Sequence, residues 1–164
     1  MDVRNEVWVK SLADGSEVPV ISDDYSRWFG RWSPDGRQLA YQRRNRRTNE
    51  RQIMLWSSQS HEEKPLGSSR AVWDWSPDGK WLLTSHDGIW LVPISAAPHA
   101  ETAARMITSD RGYVLYQPYF SPDGRWIVFE AVADSLNLES GIYVVPTSGG
   151  VWTRYPARRA ETIR

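Results

Sequence analysis

The four residues Ser-Pro-Asp-Gly occur three times, at Ser33, Ser76 and Ser121, in a chain of 164 residues. Each copy is followed by Arg or Lys and sits between aromatic and apolar positions: RWSPDGRQLAYQ from Arg31, DWSPDGKWLLTS from Asp74 and YFSPDGRWIVFE from Tyr119. The three segments align without gaps, at spacings of 43 and 45 residues. A repeat of that length, built from short strands and turns, matches one four-stranded propeller blade.

The motif has the chemistry of a tight hairpin. Ser bonds back to the backbone, Pro fixes φ at the second position of a type I turn, and Asp suits the third. Gly supplies the left-handed conformation that closes the hairpin with a bulge. Strand-forming residues flank it: Trp32, Trp75 and Phe120 before, and Leu39–Tyr41, Trp81–Leu83 and Trp126–Phe129 after. A second hairpin follows each first one. Its strands begin at Ile53–Trp56, Ile89–Val92 and Ile142–Val145, and return through Lys64–Leu66, Arg105–Ile107 and Val151–Tyr155. Near the N-terminus, Val7–Lys10 and Glu17–Ile21 form the second hairpin without the first. With the strands of a blade lettered a to d, the order is c-d, then a-b-c-d three times. The expectation is all-β, with fourteen strands. His99–Ala104 is the one helix-favouring stretch, too short to stand alone.

Composition agrees. Ten Trp and seven Tyr suit strands whose broad side chains cover a neighbouring sheet. The formal net charge is zero, which gives no reason to expect nucleic acid or an anionic membrane. No stretch is apolar enough for a signal peptide or a membrane span. The absence of Cys excludes disulfides, thiolate metal sites and a Cys nucleophile.

The pattern of aromatic, Ser-Pro-Asp-Gly, Lys or Arg, an apolar strand and then an Ile-Tyr/Trp-Val strand resembles the TolB-like, WD-repeat-like β-propeller family. The resemblance covers about Glu6 to Tyr155. It implies one propeller segment over residues 1–164, with a half blade at 6–21 and blades at about 27–66, 70–108 and 113–155. Such repeats occur in the periplasmic TolB protein, in propeller domains of prolyl-oligopeptidase-type peptidases, and at the C-termini of bacterial kinases and transcriptional regulators. The resemblance therefore implies a bacterial protein- or peptide-binding module, and a periplasmic setting if the parent follows TolB.

Three and a half blades do not close a ring of the usual four to eight. The chain is a part of a longer protein, or completes its ring by self-association, or stands as an open arc. The arc is least favoured, because uncovered blade faces and edges are sticky.

In a propeller the d-a and b-c loops emerge on one face and the Ser-Pro-Asp-Gly turns on the other. Partner binding is expected at the first, where a rigid scaffold presents variable loops. Asp24, Tyr25, Arg27, Arg70, Arg111 and Tyr113 lie just before inner strands and are the candidate partner-binding residues. The run Gln42 to Arg51 holds five Arg. It is expected on the first b-c loop, as a solvated hairpin or as a contact for an acidic surface or phosphates. Asp35, Asp78 and Asp123 are explained by turn chemistry.

His61, His86 and His99 are isolated from one another, and none has the spacing of a helical metal site. There is no Gly-x-Ser-x-Gly elbow, phosphate loop or dinucleotide fingerprint. His86-Asp87 is read as a turn with Gly88 before it is read as a catalytic dyad. The expectation is therefore a module that is not an enzyme, with no catalytic residue, metal or cofactor. Its partner would be a protein or peptide, without nucleic acid and without membrane insertion. The alternatives are the propeller of a prolyl-oligopeptidase-type peptidase and the C-terminal sensor propeller of a bacterial kinase or transcriptional regulator.

Overall fold

A computed structural model describes residues 6–21, 23, 25–68, 71–94, 103–133 and 140–155. These residues form fourteen strands. A two-stranded sheet pairs β1 (Trp8–Lys10) with β2 (Glu17–Pro19). The first four-stranded sheet runs β3 (Tyr25–Trp32), β4 (Gln38–Asn45), β5 (Arg51–Ser57) and β6 (Glu63–Ser68). The second runs β7 (Ala71–Trp75), β8 (Trp81–Ser85), β9 (Ile89–Pro93) and β10 (Arg105–Thr108). The third runs β11 (Tyr113–Phe120), β12 (Trp126–Ala133), β13 (Ser140–Pro146) and β14 (Thr153–Arg154). Sequence neighbours pair antiparallel throughout, so each sheet is a meander. Most of the helix-favouring stretch His99–Ala104 lies outside the described residues. Among those described, no helix is long and apolar enough to cross a membrane.

The Ser-Pro-Asp-Gly turns repeat atom for atom. The Ser hydroxyl donates to the Asp carboxylate at 2.6, 2.5 and 2.6 Å in the three copies. The same oxygen accepts the backbone N–H of Gln38, Trp81 and Trp126 at 2.9–3.0 Å. Asp Oδ1 accepts the N–H of Arg37, Lys80 and Arg125. Gly36, Gly79 and Gly124 have φ of 70, 71 and 70°, the left-handed conformation that Gly adopts without a steric penalty. Successive turns also touch: a side chain at Gly124 would meet the Pro77 ring at 3.5 Å.

Apolar residues on alternate strand positions are buried between successive sheets, as the two-residue period of a strand dictates. Val20 from the half blade joins Leu39, Tyr41, Met54 and Trp56 of the first four-stranded blade. The other face of that blade gives Ala40, Ile53 and Leu55 to a cluster with Val72, Trp75 and Leu82 of the second. Leu83, Ile89 and Leu91 then meet Leu115, Ile127 and Phe129 of the third. Each fully buried side chain of this size contributes roughly 1.5–3 kcal/mol. The outward face of the third blade repeats the pattern without a cover. Ile142 is 47% exposed, whereas Ile53 and Ile89, at the same place in the blades before it, are 1% and 0% exposed.

Candidate functional site

The inner strands β3, β7 and β11 carry a register break at the same place. It falls between Trp28 and Arg31, between Val72 and Asp74, and between Tyr116 and Tyr119. The first and third breaks hold a non-glycine residue in the left-handed region, Phe29 at φ 60° and Gln117 at φ 47°. Such bulges re-aim side chains and are common beside functional sites.

Just after each break, three residues of one repeat position meet across the sheets. Arg31 Nε donates to the Trp73 carbonyl at 2.8 Å. Arg31 NH2 donates to the Tyr119 hydroxyl at 3.5 Å, bridging the first and third blades past the second. Asp74 Oδ2 accepts the Phe120 N–H at 2.9 Å, and Oδ1 accepts that of Trp75. The Phe29 and Trp73 rings lie 5.2 Å apart, tilted at 45°. Side chains from alternate blades touch in this way only near the axis where inner strands converge.

A second cluster sits where β3 begins. Arg27 is 2% exposed. Its guanidinium is clamped by Asp23 through two hydrogen bonds of 2.8 and 2.7 Å. Glu63 accepts from the Tyr41 hydroxyl and from Arg43 NH1, and Arg43 NH2 donates to Gln52 Oε1 at 2.7 Å. The Arg43 guanidinium also covers the Tyr25 ring, 4.4 Å from its centroid. Burial, the largest single influence, would raise the Asp23 carboxyl, but the hydrogen bonds from Arg27 and the Tyr25 N–H, with the nearby Arg27 and Arg43 charges, together outweigh it and hold Asp23 below the usual range. Burial likewise works most strongly against the Arg27 charge, and Asp23 together with Tyr41 reverses it. Burial and the neighbouring Glu63 push the Tyr41 hydroxyl up. Two cations facing two anions make this a balanced buried network, which orders the entry of β3 and leaves Arg27 enclosed.

The expected partner-binding residues therefore separate. Tyr25 is half-buried under Arg43 and Arg27 is internal. Tyr113 packs edge-on against Tyr143 and Trp152. Arg111 is exposed in the loop before β11. Asp24 and Arg70 lie outside the described residues. The basic run is only partly a loop. β4 continues through Asn45, with Arg43 paired to Glu63 and Arg44 placed 5.0 Å from the Trp28 ring. Asp87 accepts the Trp90 indole N–H and does not orient His86 through that oxygen. On the turn face, a cleft of about 290 Å³ lies between the second and third blades. Its Arg105 is spent on the carbonyls of Thr147 and Ser148. Among the described residues, no three His, Asp or Glu gather for a metal ion.

Phe29, Arg31, Trp73, Asp74 and Tyr119 were not among the expected residues. Their signal lay in the repeat: the position two before each Ser carries Arg, Asp and Tyr, a change of chemistry inside an otherwise constant motif.

Solved structures share this fold. A protein assigned as TolB from Agrobacterium tumefaciens superposes with a TM-score of 0.75 at 21% identity, over 92% of this chain and 56% of that one. The fold is that of a TolB-like β-propeller. Dipeptidyl peptidase 4 of Porphyromonas gingivalis is also similar, with a TM-score of 0.62 at 17% identity, over 91% of this chain and 22% of that one. Among curated proteins, the uncharacterized peptidase YuxL of Bacillus subtilis (strain 168) is 25% identical over 167 residues. That match takes in 77% of this TolB-like chain and only 25% of YuxL. No family model matches the chain. The expectation of a protein that is not an enzyme is corrected here, because the curated relative is named a peptidase. The physical reason is that a propeller repeat carries packing and turn chemistry. Its lack of catalytic motifs says nothing about the chemistry of the protein it serves.

Proposed function

We propose that this chain is part of the propeller of a peptidase, and that its inner strands help to admit and hold peptide segments. The observation that carries this reading is the match to YuxL, a relative named a peptidase, over 77% of this chain and 25% of YuxL. Likeness to a dipeptidyl peptidase structure supports the same setting. In this reading the catalytic residues belong to another part of the protein, and the propeller contributes binding surface. Tyr25 and Arg111, at loops that enter inner strands, would lie on the side from which peptide approaches.

The encoding reading frame tests it. The expected result is an adjoining α/β-hydrolase region with a Gly-x-Ser-x-Gly elbow, followed by Asp or Glu and then His. The expressed product should release chromophore from dipeptide p-nitroanilides. A reading frame without such a region, or an inert full-length product, would overturn the peptidase reading.

A further inference from the structure

The geometry points to a carboxylate-binding subsite at the propeller axis, centred on Arg31 and walled by Phe29, Trp73 and Tyr119. This deepens the reading that the chain handles peptides, and rests on it. Arg31 is half-buried and held in place by three oxygens: the Trp73 carbonyl, the Gly30 carbonyl at 3.1 Å and the Tyr119 hydroxyl. All three are neutral. The ion pairs among the described residues do not include Arg31. Asp74, at the same repeat position in the second blade, accepts the backbone N–H groups of Trp75 and Phe120 and forms no ion pair with Arg31 among the described residues. A positioned guanidinium thus keeps its charge and two of its five N–H groups for a ligand.

The surroundings select the ligand class. Phe29 is 40% exposed although its backbone is in an unfavourable conformation, and Tyr119 is 37% exposed. A strained residue that presents an aromatic ring to an open space suits a ligand with a flat or apolar group. One guanidinium matches one carboxylate through its planar fork. A phosphate dianion would call for a second cation, and none stands beside Arg31 among the described residues. The fitting ligand is a peptide carboxylate with an apolar neighbour. It can come from the peptide's C-terminus or from an Asp or Glu side chain.

The test uses the whole chain and four probes: acetyl-Ala-Phe as free acid and as amide, acetyl-Asp-Phe-amide and acetyl-Asn-Phe-amide. Binding is followed by titration calorimetry and by the NMR shift of the Arg31 Nε–H. A free acid or an Asp peptide binding about tenfold tighter than its neutral counterpart supports the subsite, and the pair that responds identifies the carboxylate source. The preference should vanish in Arg31→Met and persist in Arg37→Met, which removes an exposed charge on the turn face. Equal affinity for all four peptides would overturn the subsite while leaving peptide handling intact. No binding at millimolar peptide would overturn it too, with the peptidase reading judged by its own assay. Because the acid and amide are compared on unaltered protein, poor folding of Arg31→Met would not protect the proposal.

Discussion

The indole Nε1 of Trp75 donates to the backbone carbonyl of Arg31 at 2.9 Å, joining the inner strands of two blades. The same Trp is 5% exposed and packs in the cluster shared by those blades. Blade stacking and axis geometry therefore depend on one side chain. Trp75→Ala should cost about 3–5 kcal/mol. Trp75→Phe keeps an aromatic ring, though a smaller one, but removes the donor to the carbonyl, and should cost about 1–3 kcal/mol. Urea denaturation of the two variants checks the order.

Gly36 and Gly88 separate conformational strain from collision. Gly36 has φ of 70° with nothing within 4 Å of an added Cβ, so Gly36→Ala should cost only about 1–2 kcal/mol. At Gly88, with φ of 156°, the added carbon would lie 2.6 Å from the Thr108 carbonyl oxygen and 2.9 Å from Ser109 Cβ. Gly88→Ala must displace backbone and should be clearly the more damaging. Equal melting temperatures would refute the packing described between the second b-c turn and the end of β10.

The Asp123 carboxyl titrates at about 2, held down first by the Ser121 hydroxyl and then by the Arg125 N–H and side chain. An unfolded Asp titrates near ~3.9. A depressed carboxyl stabilises the folded state above the unfolded value, and that contribution disappears as pH falls from about 4 toward 2. NMR titration should show Asp123 ionised well below the ordinary range. Ser121→Ala should raise its midpoint toward the ordinary value.

Glu63 balances a buried network, with its side chain 12% exposed and Arg43 and Tyr41 bound to it. Glu63→Ala leaves the Arg43 charge and the Tyr41 hydroxyl without that partner and should cost roughly 3 kcal/mol or more. The neighbouring Glu62 is exposed, and Glu62→Ala should stay within about 0.5 kcal/mol. Similar losses in both would mean that the network is not closed as described.

The turns were legible because their partners are local: Ser33, Asp35 and Gly36 bond among themselves and to Gln38. Strand order followed from the same punctuation. Arg27 reads as a loop cation because its burial depends on Glu63, 36 residues further on, as well as on nearby Asp23. Arg43 and Arg44 look like hairpin charge for a similar reason: Glu63, Tyr25 and Trp28 hold them in a strand. The axis was hidden more deeply. Arg31 and Tyr119 are 88 residues apart, and backbone bulges, which hydrophobic alternation does not reveal, turn them toward each other.

Radial stacking of the blades is the claim on which the axis site and the loop face both depend. Nuclear Overhauser contacts of the Trp75 indole proton test it most directly. The structure requires contacts from this proton to Arg31, on the inner strand of the first blade. An indole proton that exchanges rapidly, and shows contacts only to its own sheet, would contradict it.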